Sequence, residues 1–406
     1  MPLIRPFRGL RPLPERAEEV VAPPYDVLNS AEARERAAGK PWSFLHISKA
    51  EIDLPEDIDP YDPAVYAKSA ENLAAMLEEG ILKRDDKDCY YVYRLTMGDH
   101  VQTGMVGAAS VKDYDSNRVR KHEFTRPAKE DDRVRQIDAL SAQTGPVLLA
   151  YKADENIDGI LAEVASTDPL VDVTADDGVR HEFWVLDDDS KIEALTAAFD
   201  AMPAIYIADG HHRSASASRI AKTRNGSGED DSDYFLSVMY PHDQMNILDY
   251  NRVITDINGL DKAGLLDKLA SAFTVTEEGS AVSPAGEGEF GMYLDGQWYR
   301  LSIDQALIPD DPVARLDVSL LADNLIDPIL GIKDQRTDKR IDFVGGIRGL
   351  GELEKRVDSG EMQIAFSLFP TSMEALMAVA DANEVMPPKS TWFEPKLADG
   401  LVSHML

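Results

Sequence analysis

The sequence predicts a mixed α/β fold, of the α+β kind, divided into more than one domain. Helical and strand-like segments alternate irregularly along 406 residues without an internal repeat. Tight turns at Gly98-Asp99 and Asp295-Gly296 separate short apolar runs, which indicates antiparallel hairpins. Hairpins of this kind argue against a doubly wound parallel sheet. A hydrophobic content of 44% in a chain of 406 residues predicts two or three domains.

Local signals place the elements of the first half of the chain. A helix is predicted from Ser30 to Gly39, and Pro63 begins a second helix that stops at Gly80, since proline favours the first helical turn and glycine the C-terminal end. Strands are predicted over 44–48, 90–96, 101–111, 146–151 and 181–186. Further helices are predicted over 128–142, 157–165 and 190–201.

The second half begins with a strand and helix over 204–222. A flexible surface loop over 225–233 and a strand over 235–240 follow. Beyond them the sequence predicts a helix over 263–273, a hairpin over 292–301, and helices around 316–329 and 373–383. We predict three domains: an N-terminal α+β domain over 1–155, a domain with the strand–helix pair over 156–258, and a C-terminal α+β domain over 259–406.

Composition narrows the function classes. The formal net charge is −31, which disfavours partners such as nucleic acid or anionic membrane, because affinity for these comes mostly from neutralised phosphates. The single cysteine, Cys89, excludes an intrachain disulfide framework and looks like a buried strand residue. No apolar run approaches the length of a membrane span, and the N-terminus lacks the apolar core of a signal peptide. We therefore expect a soluble, cytoplasmic protein.

The most informative segment is Ile205-Tyr-Ile-Ala-Asp-Gly-His-His-Arg213. An apolar strand ends in Asp209-Gly210, and His211, His212 and Arg213 follow on the first turn of a helix. A helix start offers unpaired N–H groups and the positive end of the macrodipole, and a glycine lets a ligand approach the backbone. Asp209 would repel a phosphate unless a proton or metal intervenes. This mixture favours chemistry on a phosphate over simple phosphate binding.

A structural interpretation of the same residues stands beside the functional one. Asp209 could serve as an N-cap, with His211 and His212 as solvated first-turn residues. We favour the functional interpretation because two of only 8 histidines are adjacent here and an arginine follows them directly.

A second segment, Arg120-Lys-His-Glu-Phe-Thr-Arg126, concentrates cations in a protein that has few of them. Glu123 is a candidate general base, and the candidate phosphate or carboxylate contacts are Lys121, His122, Thr125 and Arg126. The alternative is a polar loop that caps the following helix.

A third segment, Met386-Pro-Pro-Lys-Ser-Thr391, delivers a cation and two hydroxyl groups in a fixed geometry, because consecutive prolines stiffen the approach. Lys389, Ser390 and Thr391 are therefore candidate ligands for an oxyanion, contributed by the C-terminal domain. The alternative is a rigid turn that holds Trp392 and Phe393 in the core. The segment is not a P-loop, because the glycine-rich stretch that precedes one is absent.

Several of these segments together resemble the family known as domain of unknown function 1015. The likeness rests on Ile207-Ala-Asp-Gly-His-His-Arg213, Arg120-Lys-His-Glu-Phe-Thr125, Ala22-Pro-Pro-Tyr-Asp-Val27 and Met386-Pro-Pro-Lys-Ser-Thr391. It covers nearly the whole chain, but that family has no settled activity to transfer.

Asp209-Gly-His-His-Arg213 also resembles the phosphate-binding signature of the ParB, sulfiredoxin and free-serine-kinase superfamily. The resemblance implies a ParB/sulfiredoxin-like α/β core with additional mixed-sheet subdomains, in which this turn holds nucleotide phosphates. Free-serine kinases use a separate glutamate as base for the serine hydroxyl. Sulfiredoxin chemistry is disfavoured because Cys89 lies far from the motif, and ParB-like DNA loading is disfavoured by the negative charge.

These observations lead to phosphoryl transfer involving a small hydroxylated or phosphorylated metabolite, with serine or phosphoserine implied by the resemblance. Gly210, His211, His212 and Arg213 would bind phosphate, Asp209 would bind Mg²⁺ or transfer a proton, and Glu123 would be the base. ADP or ATP is the expected phosphoryl donor. The kinase or phosphatase direction stays open.

Two other functions are left open at this point: a non-catalytic nucleotide-binding switch, and a metal-dependent hydrolase or lyase that uses the histidine pair. No His-Glu-x-x-His pattern supports the hydrolase. The oligomeric state is also open, with a homodimer among the alternatives.

Overall fold

The chain forms two compact units in the computed structural model, which describes residues 1–224, 228 and 230–406. The first unit consists of Met1–Met245 together with Pro395–Leu406, and the second unit of Asn246–Glu394. Helices and strands are mixed in both units, so the predicted mixed α/β class is confirmed. Of the surface loop predicted over 225–233, residues 225–227 and 229 lie outside the described residues.

Strands β13 to β20 belong to the second unit and the other described strands to the first. In chain order, the strands are β1 Ile4–Arg5, β2 Gly9–Pro12, β3 Leu82–Arg84, β4 Tyr90–Met97, β5 His100–Ser110, β6 Val119–Arg120, β7 Ala142–Gln143, β8 Val147–Tyr151, β9 Val171–Thr174, β10 Arg180–Leu186, β11 Ile205–Asp209, β12 Tyr234–Pro241, β13 Ile247–Leu248, β14 Tyr250–Ile254, β15 Phe273–Glu278, β16 Glu289–Leu294, β17 Gln297–Ile303, β18 Ile341–Gly345, β19 Ile364–Leu368, β20 Trp392–Phe393 and β21 Ser403–Met405.

The α-helices are distributed in the same way, with α10 to α13 in the second unit. They are α1 Ala17–Val20, α2 Ser30–Ala37, α3 Leu45–Ser48, α4 Pro63–Glu78, α5 Val111–Asp115, α6 Pro127–Leu140, α7 Glu155–Val164, α8 Asp189–Ala201, α9 His211–Thr223, α10 Lys262–Leu269, α11 Asp317–Leu321, α12 Leu350–Asp358 and α13 Met373–Asp381.

The first unit is built on a mixed sheet whose strand order is β6-β11-β8-β12-β5-β4-β10-β9, with β1 paired to β5. β11 runs parallel to β6 and β12 runs parallel to β8, whereas β11 and β8 are antiparallel. Every residue of β8 is buried, which explains its continuous apolar sequence. A smaller sheet, β3-β2-β21-β7, brings the end of the chain back into this unit.

Helix packing completes the core beside the motif. Ile207 of β11 and Leu149 of β8 belong to the same buried cluster as Leu161 of α7 and Phe199 of α8. Small residues of α9, such as Ala217, join that cluster. The Ser-Ala alternation after the motif therefore allows α9 to pack closely on the sheet.

The second unit contains an antiparallel sheet with the order β15-β17-β16-β19-β14-β18 and a separate pair, β13-β20. Its core includes Val253 of β14, Tyr293 of β16, Ala365 of β19 and Leu353 of α12. A π-helical turn, Ala322–Ile326, continues α11.

Both predicted hairpins are confirmed, since β4 pairs with β5 and β16 pairs with β17 in antiparallel register. The strand predicted over 44–48 is wrong, because Leu45–Ser48 forms the short helix α3. Phe44, Leu45 and Ile47 are buried against residues of α4, and periodicity alone does not distinguish a short buried helix from a buried strand. No helix in the described part of the chain is long and apolar enough to cross a bilayer.

Buried histidines predict an acid-sensitive fold. Burial lowers the pKa of His181 and of His404 to about 4, so both are neutral when folded and protonate near pH 6.5 when unfolded. The unfolded state therefore binds more protons between pH 6.5 and 4, and the free energy of unfolding falls as the pH decreases through that window, by up to roughly 3 kcal/mol per histidine.

Urea unfolding of the wild type and of His181→Gln at several pH values tests this expectation. The glutamine variant should lose less stability than the wild type between pH 6.5 and 4.5, because it removes one proton-binding group from the unfolded chain. Equal losses in the two proteins would contradict it.

Candidate functional site

The junction between β11 and α9 forms the centre of the site. Gly210 is the N-cap of α9, with a left-handed φ of 93°, and no side chain of a described residue caps the helix. A Cβ at this position would lie 3.3 Å from the Cα of Val147 in the adjacent strand β8, so glycine satisfies both the backbone angle and the close approach. The first-turn N–H groups of α9 are therefore available to an outside acceptor.

Asp209 closes β11 immediately before this helix start. Its Oδ1 accepts a hydrogen bond from the Gly210 N–H at 2.7 Å, and its Oδ2 lies 3.7 Å from Nζ of Lys396. Burial alone would raise the pKa of Asp209, but Lys396, Arg213 and the Gly210 N–H outweigh it and lower the pKa. The carboxylate therefore stays ionised at the helix start.

His211 is buried, at 3% exposure, and binds the loop that follows β6. Its Nε2 accepts a hydrogen bond from the His122 backbone N–H at 3.4 Å, and the two imidazole rings meet edge to face at 4.5 Å. Burial lowers the pKa of His211, and the neighbouring His122, His212 and Lys121 add to that effect, so the ring is neutral. Because Nε2 is the acceptor, Nδ1 bears the proton, and it lies 3.7 Å from the Glu123 carboxylate.

His212 binds the other end of the same loop. Its Nε2 accepts a hydrogen bond from the Arg126 backbone N–H at 3.0 Å. Burial and the nearby Arg126 guanidinium lower the pKa of His212, which keeps this ring neutral as well. The two histidines thus fix both ends of the loop His122–Arg126, and Glu123 projects from it with 56% of its side chain exposed.

Arg213 points into the first unit. Its Nη1 donates to the Pro146 carbonyl at 2.7 Å and its Nη2 to the Asp26 carboxylate at 2.9 Å. The guanidinium also lies 5.3 Å from the centre of the Tyr25 ring. Burial alone would lower the pKa of Arg213, but Asp26 and the other acidic neighbours raise it. Arg213 is therefore a fixed positive charge behind the helix start.

The structure brings only some of the predicted residues together. Nζ of Lys121 donates to the Tyr114 carbonyl at 3.0 Å and lies over the Tyr114 ring, while Thr125 donates to Glu130 of α6. His122 is buried, with a pKa lowered to about 4 by that burial. These contacts stabilise the loop from within.

The predicted residues Lys389, Ser390 and Thr391 belong to the second unit. Lys389 has a left-handed φ of 59°, and Ser390 is buried and donates to the Pro387 carbonyl at 2.6 Å. Their role as oxyanion ligands stays a prediction.

Metal binding by three protein ligands finds no support in the part of the chain that the structure describes. No three His, Cys, Asp or Glu side chains come close enough there to hold a metal ion. Cys89 is buried and burial raises the pKa of its thiol to about 11, so it stays protonated and unreactive.

Sequence reasoning missed residues that surround the motif. Tyr25 and Asp26 contact Arg213 from the N-terminal segment, and the Pro23-Pro24 pair before them was the available signal. Lys396 and Asp399 approach Asp209 and Arg213 from the C-terminal segment. Nothing in their local sequence indicates this proximity, because it depends on the return of the chain through β21.

The histidine contacts predict a measurable loosening of the loop. His212→Ala removes the acceptor of the Arg126 N–H, a loss worth about 1 kcal/mol, so we expect roughly fivefold faster amide exchange at Arg126 by hydrogen–deuterium exchange. His242→Ala is the matched control, because His242 accepts a backbone hydrogen bond from Ala153 elsewhere. Unchanged exchange at Arg126 in His212→Ala would show that the contact does not hold the loop.

The chain is distantly similar to several solved structures. No curated protein sequence matches the chain. Similar solved structures include a conserved hypothetical protein from Pyrococcus furiosus, with 16% identity over 73% of this chain and 93% of that chain and a TM-score of 0.35. A free serine kinase in complex with AMP has 14% identity over 72% and 91% of the two chains, with a TM-score of 0.36.

SbnI with a C-terminal truncation from Staphylococcus aureus has 11% identity over 73% and 86% of the two chains, with a TM-score of 0.39. The family model described as a protein of unknown function, DUF1015, matches residues 4–319. Since this match spans most of the sequence, the chain belongs to the DUF1015 family.

Proposed function

We propose that the chain transfers a phosphoryl group between a nucleotide and a small hydroxylated metabolite. The observation that supports this most directly is the position of Glu123, whose carboxylate lies 3.7 Å from Nδ1 of His211 at the open start of α9. A base and a set of phosphate donors at one place are the main requirements of phosphoryl transfer. Serine or phosphoserine is the substrate suggested by the Asp-Gly-His-His-Arg sequence.

Phosphate recognition would come from the backbone at the start of α9. The N-cap Gly210 carries no side chain, so a phosphate can approach the first-turn N–H groups and the positive end of the helix dipole. Nδ1–H of His212 adds a donor, because its Nε2 already accepts from Arg126. Arg213 and Lys396 add positive charge close enough to lower the pKa of Asp209.

Glu123 would act as the general base for the substrate hydroxyl. Its carboxylate is mostly exposed, so a substrate can reach it, and it faces the N–H of a neutral His211 ring. That ring is itself fixed by the His122 backbone N–H. The loop His122–Arg126 thus presents the base in a defined orientation toward a phosphate on α9.

Mg²⁺ would be held by the Asp209 carboxylate together with the substrate phosphates. A single carboxylate suits this ion, because Mg²⁺ is commonly bound by one or two carboxylates plus phosphate and water. Asp209 offers an ionised oxygen, since its pKa is lowered. When bound, Mg²⁺ neutralises charge on the phosphate oxygens. ADP or ATP is the proposed donor, and the acceptor, water or an alcohol, decides between a phosphatase and a kinase.

Removal of the base is the central test. Glu123→Gln keeps the size of the side chain but cannot take a proton, so we expect turnover of ADP or ATP with serine to fall by about 10²–10⁴-fold. Nucleotide affinity should stay within a few fold of the wild type. Glu193→Gln, an exposed position on α8, is the matched control and should keep full turnover.

A ligand panel identifies the substrate before that assay. Thermal shifts with ADP, ATP, CTP, pyrophosphate, serine and phosphoserine, each with and without Mg²⁺, report binding to the folded state.

Full turnover in Glu123→Gln would refute the assignment of Glu123 as the base. A nucleotide that raises Tm without any turnover would favour the non-catalytic switch, and stoichiometric Zn, Mn or Fe in the purified protein would favour the metal-dependent hydrolase.

A further inference from the structure

A small polar cavity lies behind Arg213, within the first unit. It has a volume of about 30 Å³, and its lining includes Tyr25, Arg133, Gly145, Arg213 and Asp399. The cavity adjoins the motif, since Val147 and the Arg213 side chain line it and both lie against Gly210. Asp399 is 2% exposed and has no part in the proposed chemistry.

Two polar atoms face this space without a partner. In the described structure, neither Nε of Arg213 nor Oδ1 of Asp399 makes a hydrogen bond, although both atoms are buried. A Cβ built on Gly145 would lie 3.4 Å from Nε of Arg213 and 3.4 Å from Oδ1 of Asp399, so both atoms border the same small void. The other Arg213 donors already bind Pro146 and Asp26. A buried donor and a buried acceptor left empty would each be destabilising.

The chemistry of the two atoms defines what fills the void. Nε–H of Arg213 can only donate, and an ionised Asp399 oxygen can only accept. An ammonium group or metal ion offers nothing for the N–H, and an anion offers nothing for the carboxylate. A hydroxylic molecule satisfies both, and a cavity of about 30 Å³ is large enough to hold a water.

We propose that one buried water bridges Nε of Arg213 and Oδ1 of Asp399, and that Asp399 acts through it as a positioning residue for Arg213. The water and Asp399 add a restraint on the guanidinium to those from the Pro146 carbonyl, the Asp26 carboxylate and the Tyr25 ring. The positioning role matters for catalysis only if the proposed function holds, since it places the positive charge of Arg213 behind the phosphate site.

Neighbouring groups shift the charge of Asp399 in both directions. Burial raises the pKa of Asp399 to about 7, with Asp26 adding to that effect and Arg213 and Arg133 opposing it. Tyr25 also faces this group from the N-terminal segment. The Tyr25 backbone N–H favours the ionised carboxylate, and a water that donates to Oδ1 acts in the same direction.

Gly145→Ala is a direct probe of the water. The backbone of Gly145 is outside the left-handed region, and the new methyl group would occupy the void at ordinary contact distance from both polar atoms. We expect the water to be expelled and Tm to fall by several degrees. Gly159→Ala in α7, where a Cβ meets nothing within 4 Å, is the matched control and should not lower Tm.

Crystal structures and pyrophosphate titrations complete the test. The wild type should show one water within hydrogen-bonding distance of Nε of Arg213 and Oδ1 of Asp399. In Asp399→Leu this water should be absent, and Arg213 should lose its contact with Pro146 or Asp26. The same variant should bind pyrophosphate at least fivefold more weakly. Asp399→Asn, which can still accept a hydrogen bond from the water, should retain Arg213 in place and most of the affinity.

Each contrary result would overturn one part of the proposal. A wild-type cavity without water density, or an unchanged Tm in Gly145→Ala, refutes the water bridge. Arg213 in its original position in Asp399→Leu refutes the positioning role. If the wild type does not bind pyrophosphate, the proposed function loses its phosphate site, and the crystal structures and melting temperatures still decide the bridge.

Discussion

The site depends on two imidazole rings that accept hydrogen bonds from backbone N–H groups. Nε2 of His211 and Nε2 of His212 hold the N–H groups of His122 and Arg126, and these contacts fix the loop before α6 against the start of α9. An imidazole can accept only when it is neutral. Burial is the main cause of the lowered pKa values of both histidines. The neutral state that results is therefore needed for the folded structure of this loop as well as for the proposed chemistry.

Because both histidines are neutral, the positive charge at the candidate site must come from other residues. In a chain with a net charge of −31, a phosphate site needs local positive potential. At the proposed site Arg213 and Lys396 would supply it, since both lower the pKa of Asp209. Arg213 does so from behind the helix, with its N–H groups on Pro146 and Asp26. In the proposed function, the direct donors to a phosphate would be the helix N–H groups and Nδ1 of His212.

The local sequence predicts the residues at the centre of the candidate site but not the residues that surround it. The apolar run before Asp209, the glycine at 210 and the small residues of α9 predict the observed strand, turn and helix. Phe44–Ser48 was misassigned because a short apolar run fits a helix and a strand equally well. Lys396 and Asp399 were missed because their proximity to the motif results from the long-range pairing of β21 with β2 and β7.

A second long-range backbone pairing, between Ala22 and Asp399, gives the C-terminal segment a position at the site. Asp399 pairs with Ala22 through reciprocal backbone hydrogen bonds of 2.9 and 3.1 Å, which places its carboxyl group beside Tyr25, Asp26 and Arg213. A loop tip would leave that carboxyl group mobile, whereas a backbone pair holds it to one position. The segments around Asp26 and Asp399 thus hold the Arg213 guanidinium behind α9. Under the proposed function, a phosphate at the helix start would therefore meet a site that is already organised.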